Sequence, residues 1–154
     1  MIIRKGNIDD LAGLRRLFAD TIINVCRSDY NDEQITVWSS ATENIKRWES
    51  VLEEQFVLIS EEQDQITGFC TLDKGNYIDL LFVHKDYLRQ GTAEKLYTAV
   101  EQEAIRLNQA ALTSDVSKTA KSFFEKMGFI VLKEQTVYVK DIEFINYKMR
   151  KTLS

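Results

Sequence analysis

Apolar positions recur along the chain with two periods, and the switches between them mark out strands and helices. Ile2 and Ile3 predict a short strand that ends at Lys5-Gly6. Asn7 is placed to cap a helix, with Asp9 and Asp10 in the first turn, where acids favour the positive end of the dipole. Leu11, Leu14, Leu17, Phe18, Ile22 and Val25 then follow at helical spacing. Past the polar break at residues 27–32, a short helix is expected around residues 33–38. Another, capped by Thr42, carries Ile45, Trp48, Val51 and Leu52 on one side. Residues 56–60 and 66–72 are apolar runs separated by a polar turn and predict an antiparallel hairpin. Gly75-Asn76 turns the chain into residues 77–84, an almost continuously apolar strand of the kind buried on both faces.

Beyond a polar loop at residues 85–90, Gly91 opens a long helix whose buried stripe is Ala93, Leu96, Tyr97, Val100, Ala104 and Leu107. A short strand at residues 110–113 precedes a helix over residues 117–127, which Gly128 stops. Residues 130–139 and 142–149 close the chain as two strands joined near Lys140-Asp141. The alternation of the last strand slips between Phe144 and Ile145, which predicts a bulge or burial on both faces there. The order β-α-α-α-β-β-β-α-β-α-β-β, without repeats, proline or a linker, predicts one domain over residues 1–154 of class α/β (α+β) with a mixed sheet.

Composition narrows the possibilities. With 44% hydrophobic and 29% charged residues the chain is expected to fold rather than stay disordered. No apolar run approaches the ~20 residues of a membrane span, and the first residues lack the apolar stretch of a signal peptide, so a cytoplasmic protein with no membrane partner is expected. Cys26 and Cys70 are isolated and His84 is the only histidine. That argues against a disulfide framework, a zinc knuckle or a Ser-His-Asp triad built around any other histidine; both cysteines read as small buried hydrophobes. The net charge of −4 argues against nucleic acid as the main partner. Residues 51–80 carry seven acids against one lysine, whereas residues 81–154 carry twelve bases against nine acids. An acidic middle beside a basic C-terminal half suits a cationic substrate and an anionic cofactor.

The segment richest in chemistry is Tyr77-Ile-Asp-Leu-Leu-Phe-Val-His-Lys-Asp-Tyr-Leu-Arg-Gln-Gly-Thr-Ala-Glu-Lys-Leu96. A buried strand runs through a polar loop into a glycine-opened helix. First-turn amides have no intrahelical acceptor and lie at the positive dipole end. Gly91 removes the side chain where an anion must approach, Thr92 and Ala93 are small, and Arg89 adds a positive charge, so the stretch reads as a pyrophosphate cradle. Here the sequence resembles the GCN5-related N-acetyltransferase superfamily, whose acetyl-CoA motif is a strand, then Q/R-x-x-G-x-G/A, then a helix. Gly91 and Ala93 match it, while Leu88 stands where the family prefers Gln or Arg. A second segment, Ser117-Lys-Thr-Ala-Lys-Ser-Phe-Phe-Glu-Lys-Met-Gly-Phe129, resembles the family's N-x-x-A-x-x-F-Y-x-x-x-G-F helix at Ala120, Phe123, Gly128 and Phe129. Ser117 replaces the usual Asn, and Phe124 replaces the Tyr that many members use as general acid. Tyr30-Asn-Asp-Glu-Gln, Trp38, Tyr77-Ile-Asp-Leu-Leu, Glu134-Gln-Thr-Val and Asn146-Tyr147 look like the YafP-like bacterial subgroup.

The resemblance implies a mostly antiparallel mixed sheet of about seven strands flanked by helices, splayed between the fourth and fifth strands. It implies direct acetyl transfer from acetyl-CoA, without a metal, to a primary amine of a small molecule or peptide, by a monomer or homodimer. Leu81, Phe82, Val83, Leu88, Arg89, Gln90, Gly91, Thr92, Ala93, Glu94, Ser117, Ala120 and Phe123 are the cofactor-binding candidates. Lys118 and Lys121 could meet the phosphate of the adenosine end. An amine near pKa ~10.4 must lose a proton before it attacks. Asp79, the only acid within its apolar strand, is the candidate for proton uptake or amine binding, or else a structural ion pair or a strand-end residue facing water. His84 is a weaker candidate base. With Phe124 unable to protonate a thiolate, Tyr147 or Tyr138 serves, water serves, or turnover is slow; the resemblance favours Tyr147. Tyr30, Trp38 and Trp48 are expected around the acceptor, as amine-binding rings or core anchors. The rival readings are a non-catalytic acyl-CoA sensor and a toxin-type acetyltransferase acting on aminoacyl-tRNA, the latter disfavoured by charge.

Overall fold

A computed structural model describes all residues, 1–154. Strands β1 (Ile2–Lys5), β2 (Phe56–Glu62), β3 (Gln65–Asp73), β4 (Tyr77–Val83), β5 (Ala111–Ser117), β6 (Ile130–Val139) and β7 (Ile142–Thr152) form one sheet in the order β1-β2-β3-β4-β5-β7-β6. All neighbours are antiparallel except β4 and β5, which are parallel and share a single registered pair, Tyr77 with Thr113. Beyond that pair the two strands diverge, and the splay that the sequence resemblance implied is present.

Helices α1 (Leu11–Val25), α2 (Asp32–Ser39) and α3 (Ile45–Glu54) cover one face, over a core that includes Leu14, Phe18, Trp48, Ile59 and Phe69. Helices α4 (Thr92–Arg106) and α5 (Lys121–Lys126) cover the other, over Leu96, Tyr97, Val100, Leu112, Phe124 and Met149. Side chains of the two sets alternate along the central strands β2, β3 and β4, as a sheet buried on both faces requires. Both cysteines are buried and free. No helix is long and apolar enough to cross a membrane.

Three local expectations need correction, and a fourth, at Phe144 and Ile145, resolves to the second of its two alternatives. Asn44, not Thr42, caps α3, accepting from the Arg47 backbone N–H at 3.2 Å. Thr42 Oγ1 instead donates to the Arg15 carbonyl at 2.9 Å. Strand β5 runs on to Ser117, because Val116 and Ser117 pair with Tyr147 and Asn146. The helix expected from residue 117 therefore starts only at Lys121, after a turn in which Ser117 Oγ accepts from the Ala120 N–H at 3.2 Å. No bulge interrupts β7 between Phe144 and Ile145, where its register with β6 is continuous; the irregularity of this pair lies further along, in β6 between Val131 and Lys133, facing Met149 and Lys148. Both residues are instead withdrawn from solvent, Phe144 in the core and Ile145 half-buried at a cavity wall. Lastly, β4 is less buried than its sequence suggests. Asp79 through Phe82 are half-buried because they line cavities, and Asp79 is the unpaired residue of a bulge, since Ile78 pairs with Leu72 while Leu80 pairs with Thr71.

Candidate active site

The helix that begins after the splayed strand has an open N-terminus. Gly91 holds φ +80°, a left-handed conformation that side chains disfavour, and a Cβ built there would meet nothing within 4 Å. No side chain caps α4, and the backbone N–H groups of Gly91, Thr92 and Ala93 have no protein acceptor. These amides and the dipole behind them form a ready anion site. Arg89, itself at φ +61°, stands beside them. A cavity of about 370 Å³ leads from this cradle along β4, walled by Leu81, Phe82 and Val83 on one side and by Ser117, Ala120 and Phe123 on the other. A long ligand with an anionic diphosphate and a narrow apolar arm fits these residues.

A second cavity, of about 310 Å³, lies between α2, the β6–β7 hairpin and the splay. Its wall is mostly apolar, with Phe18, Tyr30, Trp38, Phe82, Phe124 and Phe144 among the lining residues, and Asp79, Ser114, Asp115, Ser117 and Asn146 are its polar ones. Trp38, Leu81, Phe82, Ser117 and Ala120 line both cavities, so the two meet at the splay.

Twelve of the thirteen cofactor candidates line the first cavity. Gln90 does not; it is exposed, and its amide donates to the Asp86 carbonyl at 3.4 Å. Asp79 lines the second cavity with a side chain only 15% exposed, and its Oδ2 accepts from Arg47 at 2.7 Å and from Gln55 Nε2 at 2.8 Å. Its Oδ1 is left without a protein donor. Tyr147 lines neither cavity. It packs with the α4–α5 core under the Lys121 ammonium, 4.7 Å from its ring centroid. Tyr138 is exposed on β6. His84 lines neither cavity either; its Nδ1 accepts from the Asp86 N–H at 3.1 Å and caps the turn Lys85–Tyr87. Trp48 is a core anchor, its indole N–H donating to the Ala41 carbonyl at 3.1 Å, whereas Trp38 is a cavity wall. Lys118 lies with its ammonium over the Tyr30 ring, and neither it nor Lys121 reaches the cradle; Lys126 does, 3.8 Å from Glu94.

Pattern alone does not show several of the residues assembled here. Asp115 is fixed by neutral donors, Tyr77 Oη at 2.7 Å and Gln135 Nε2 at 2.9 Å, and has no cation within 4 Å although Lys148 is opposite it in register. Burial, and then Asp115 itself, raise the Tyr77 phenol, so it remains a donor. Thr21, Cys26, Tyr87 and Thr119 contribute to the cradle wall. Burial raises the Cys26 thiol, which keeps it protonated. The one sequence signal for such groups is a polar residue within an apolar strand. No group of three or more His, Cys, Asp or Glu side chains is arranged to hold a metal ion.

An anion cradle that opens, through one shared wall, into a separate apolar cavity is the layout of a two-substrate transferase. The comparisons agree. The model of the acetyltransferase (GNAT) domain family matches residues 26–151. The chain is 32% identical, over 148 residues, to the uncharacterized N-acetyltransferase YafP of Escherichia coli (strain K12), covering 96% of this chain and 93% of that one. A GCN5-related N-acetyltransferase from Rhodopseudomonas palustris superposes with a TM-score of 0.95 at 30% identity, over 99% of this chain and 95% of its own. The PaiA N-acetyltransferase of Thermoplasma acidophilum, solved with coenzyme A, has the same fold at a TM-score of 0.81 and 18% identity, over 99% and 98% of the two chains. The chain belongs to the GCN5-related N-acetyltransferase family, in its YafP-like subgroup, and is by class an acetyl-CoA-dependent acyltransferase.

Proposed function

We propose that the protein moves an acetyl group from acetyl-CoA directly to a primary amine of a small molecule or peptide. The observation that carries this reading is the junction of the two cavities at the β4–β5 splay, where a donor arm and an acceptor would meet. Acetyl-CoA would supply an acyl carbon already activated as a thioester. The amides of Gly91, Thr92 and Ala93, with Arg89, would hold its diphosphate. Leu88 and Glu94 would flank it, and the backbone of Leu81, Phe82 and Val83 would align the pantetheine against Ser117, Ala120 and Phe123.

On the acceptor side, an amine has two carboxylates to meet. Asp115 is held in place by Tyr77 and Gln135 yet unpaired with any cation, which suits it to receive an ammonium group. Asp79 offers Oδ1 for proton uptake while Arg47 and Gln55 fix the other oxygen. The apolar remainder of the cavity favours an amine with a compact apolar body over a polycation.

Calorimetric titration with acetyl-CoA tests the reading, on the parent and on Gly91→Glu. Binding by the parent that weakens at least about tenfold in the variant is expected, because the new carboxylate meets the negative charge that the helix end attracts. No binding by a folded parent would sink it. Thiol release with phenethylamine, spermidine and a lysine peptide as acceptors then reads turnover. A second reading, a sensor that binds acetyl-CoA without transferring its acyl group, is favoured by one observation, the absence of a hydroxyl at Phe124. Transfer to any of these amines dismisses it.

A further inference from the structure

We propose that Tyr30 is the proton donor to the departing thiol, the role for which Phe124 has no hydroxyl. The inference rests on the transferase reading above and names a group that reading leaves unassigned. Tyr30 immediately precedes the Asn31 that caps α2, and it is 7% exposed. Its ring is held edge-on to Trp38, with centroids 5.2 Å apart, and tilted to Phe144 at 6.1 Å. Its hydroxyl makes one hydrogen bond, and makes it as the acceptor, from the Lys118 backbone N–H at 2.9 Å. A phenol oxygen that accepts from a fixed amide still has its own proton to give, and no protein acceptor takes it.

The position of that hydroxyl matters as much as its free proton. Lys118 follows Ser117 in the turn between β5 and α5, and Ser117 and Ala120 of this turn line both cavities. Tyr30 and Phe124 line the same acceptor cavity. The phenol therefore enters, from the turn before α2, the cavity that Phe124 also lines from α5.

A donor must hold its proton at working pH. Burial raises the Tyr30 phenol, the Lys118 N–H opposes it, and Cys26, Asp29 and Tyr147 push further upward. The Lys118 ammonium lies over the ring, 5.7 Å from its centroid. In the step itself, nitrogen bonds to the acyl carbon, the carbon–sulfur bond breaks with its electron pair left on sulfur, and Tyr30 gives its Oη proton to that sulfur. The proton that nitrogen loses passes to water or a cavity carboxylate, and the phenolate regains one from water, so the balance closes.

Tyr30→Phe keeps the ring and its packing and loses the hydroxyl together with the bond it accepts from the Lys118 N–H, and the first readout needs no turnover. A hydrogen bond to a thiolate lowers the thiol's pKa, so the parent should bind coenzyme A more tightly as pH rises from 7 toward the ordinary thiol value of ~8.5. Acetyl-CoA, which has no thiol, should bind independently of pH over this range. In Tyr30→Phe the calorimetric affinity for coenzyme A should become flat with pH. With phenethylamine as acceptor, kcat should fall about 100-fold while KM for both substrates stays within about threefold. A pH-dependent coenzyme A affinity that survives in Tyr30→Phe overturns the assignment, as does an unchanged kcat. So does a parent whose coenzyme A affinity is flat, a result that does not depend on how the variant folds. A parent that binds neither coenzyme A nor acetyl-CoA overturns the transferase reading instead, so the two failures are told apart.

Discussion

Asp10 fastens the first strand to the first helix through a small charged network. Arg4 donates to its two carboxylate oxygens at 2.9 and 2.8 Å, the Asn7 N–H donates to Oδ2 at 2.9 Å, and Arg4 also reaches Glu61 on β2 at 3.0 Å. The guanidinium of Arg4, helped by the Asn7 amide and opposed by burial, lowers the Asp10 carboxyl below the ordinary value. A carboxyl depressed in the folded state adds stability that is fully present above its unfolded pKa, ~3.9, and is lost as pH falls through the folded value. Asp10→Asn should therefore cost about 2 kcal/mol at pH 7, with the gap to the parent closing below about pH 4. Urea melts at pH 7 and pH 3 check this, and a gap of equal size at both would show that charge is not what Asp10 contributes. The sequence displays Asn7, Asp9 and Asp10 as the acidic start of a helix. It does not display Arg4 as the partner, because that contact depends on the angle at which strand and helix join.

Strand β4 is the element that turns a sheet into a site, and hydroxyl groups let it do so. Where β4 parts from β5, its backbone loses ladder partners, and orphaned buried peptide groups are costly. Thr71 Oγ1 accepts from the Leu80 N–H at 3.1 Å, and Ser114 Oγ donates to the Ile78 carbonyl at 2.8 Å; both residues are buried. Together they hold the bulge at Asp79 from the strands on either side. Thr71→Val and Ser114→Ala each remove one hydroxyl with little change of shape. Each is expected to lower stability by about 1–3 kcal/mol, and to lower kcat where a change elsewhere in the sheet would not. Thermal melts beside turnover measurements check both; normal stability in both variants would mean that water or backbone takes over these bonds. The strand was legible as an apolar run, and its cradle as a glycine-opened helix. The bulge was not, because Thr71 and Ser114 read as ordinary strand residues until the strands beside them are known.

At the scale of the whole molecule, the second cavity, proposed above for the acceptor, is closed by two segments far apart in the chain. Helix α2 forms one wall, and Val137, Val139, Phe144 and Ile145 of the β6–β7 hairpin form the other. Sequence pattern identified both elements but not that they meet, since their contact arises from the sheet order that places β7 beside β5. Two polar contacts join them at the surface: Gln34 Nε2 donates to the Glu143 carbonyl at 2.7 Å, and Lys140 Nζ donates to Ser40 Oγ at 3.0 Å. Gln34 serves twice, because its Oε1 also accepts from the Asn31 N–H in the cap of α2. Gln34→Glu separates the two uses. A carboxylate still accepts from Asn31, so the helix keeps its cap, yet it has no proton to offer the Glu143 carbonyl and faces it with negative charge. Losing one such bond between the two segments that wall the cavity, worth about 1 kcal/mol, should raise KM for the amine about fivefold. The affinity for acetyl-CoA should not change, because none of these atoms belongs to the cradle. Steady-state kinetics beside calorimetry read the two numbers separately. A matched loss in both would mean that α2 and the hairpin set the width of the β4–β5 splay itself, and that the two cavities open and close as one.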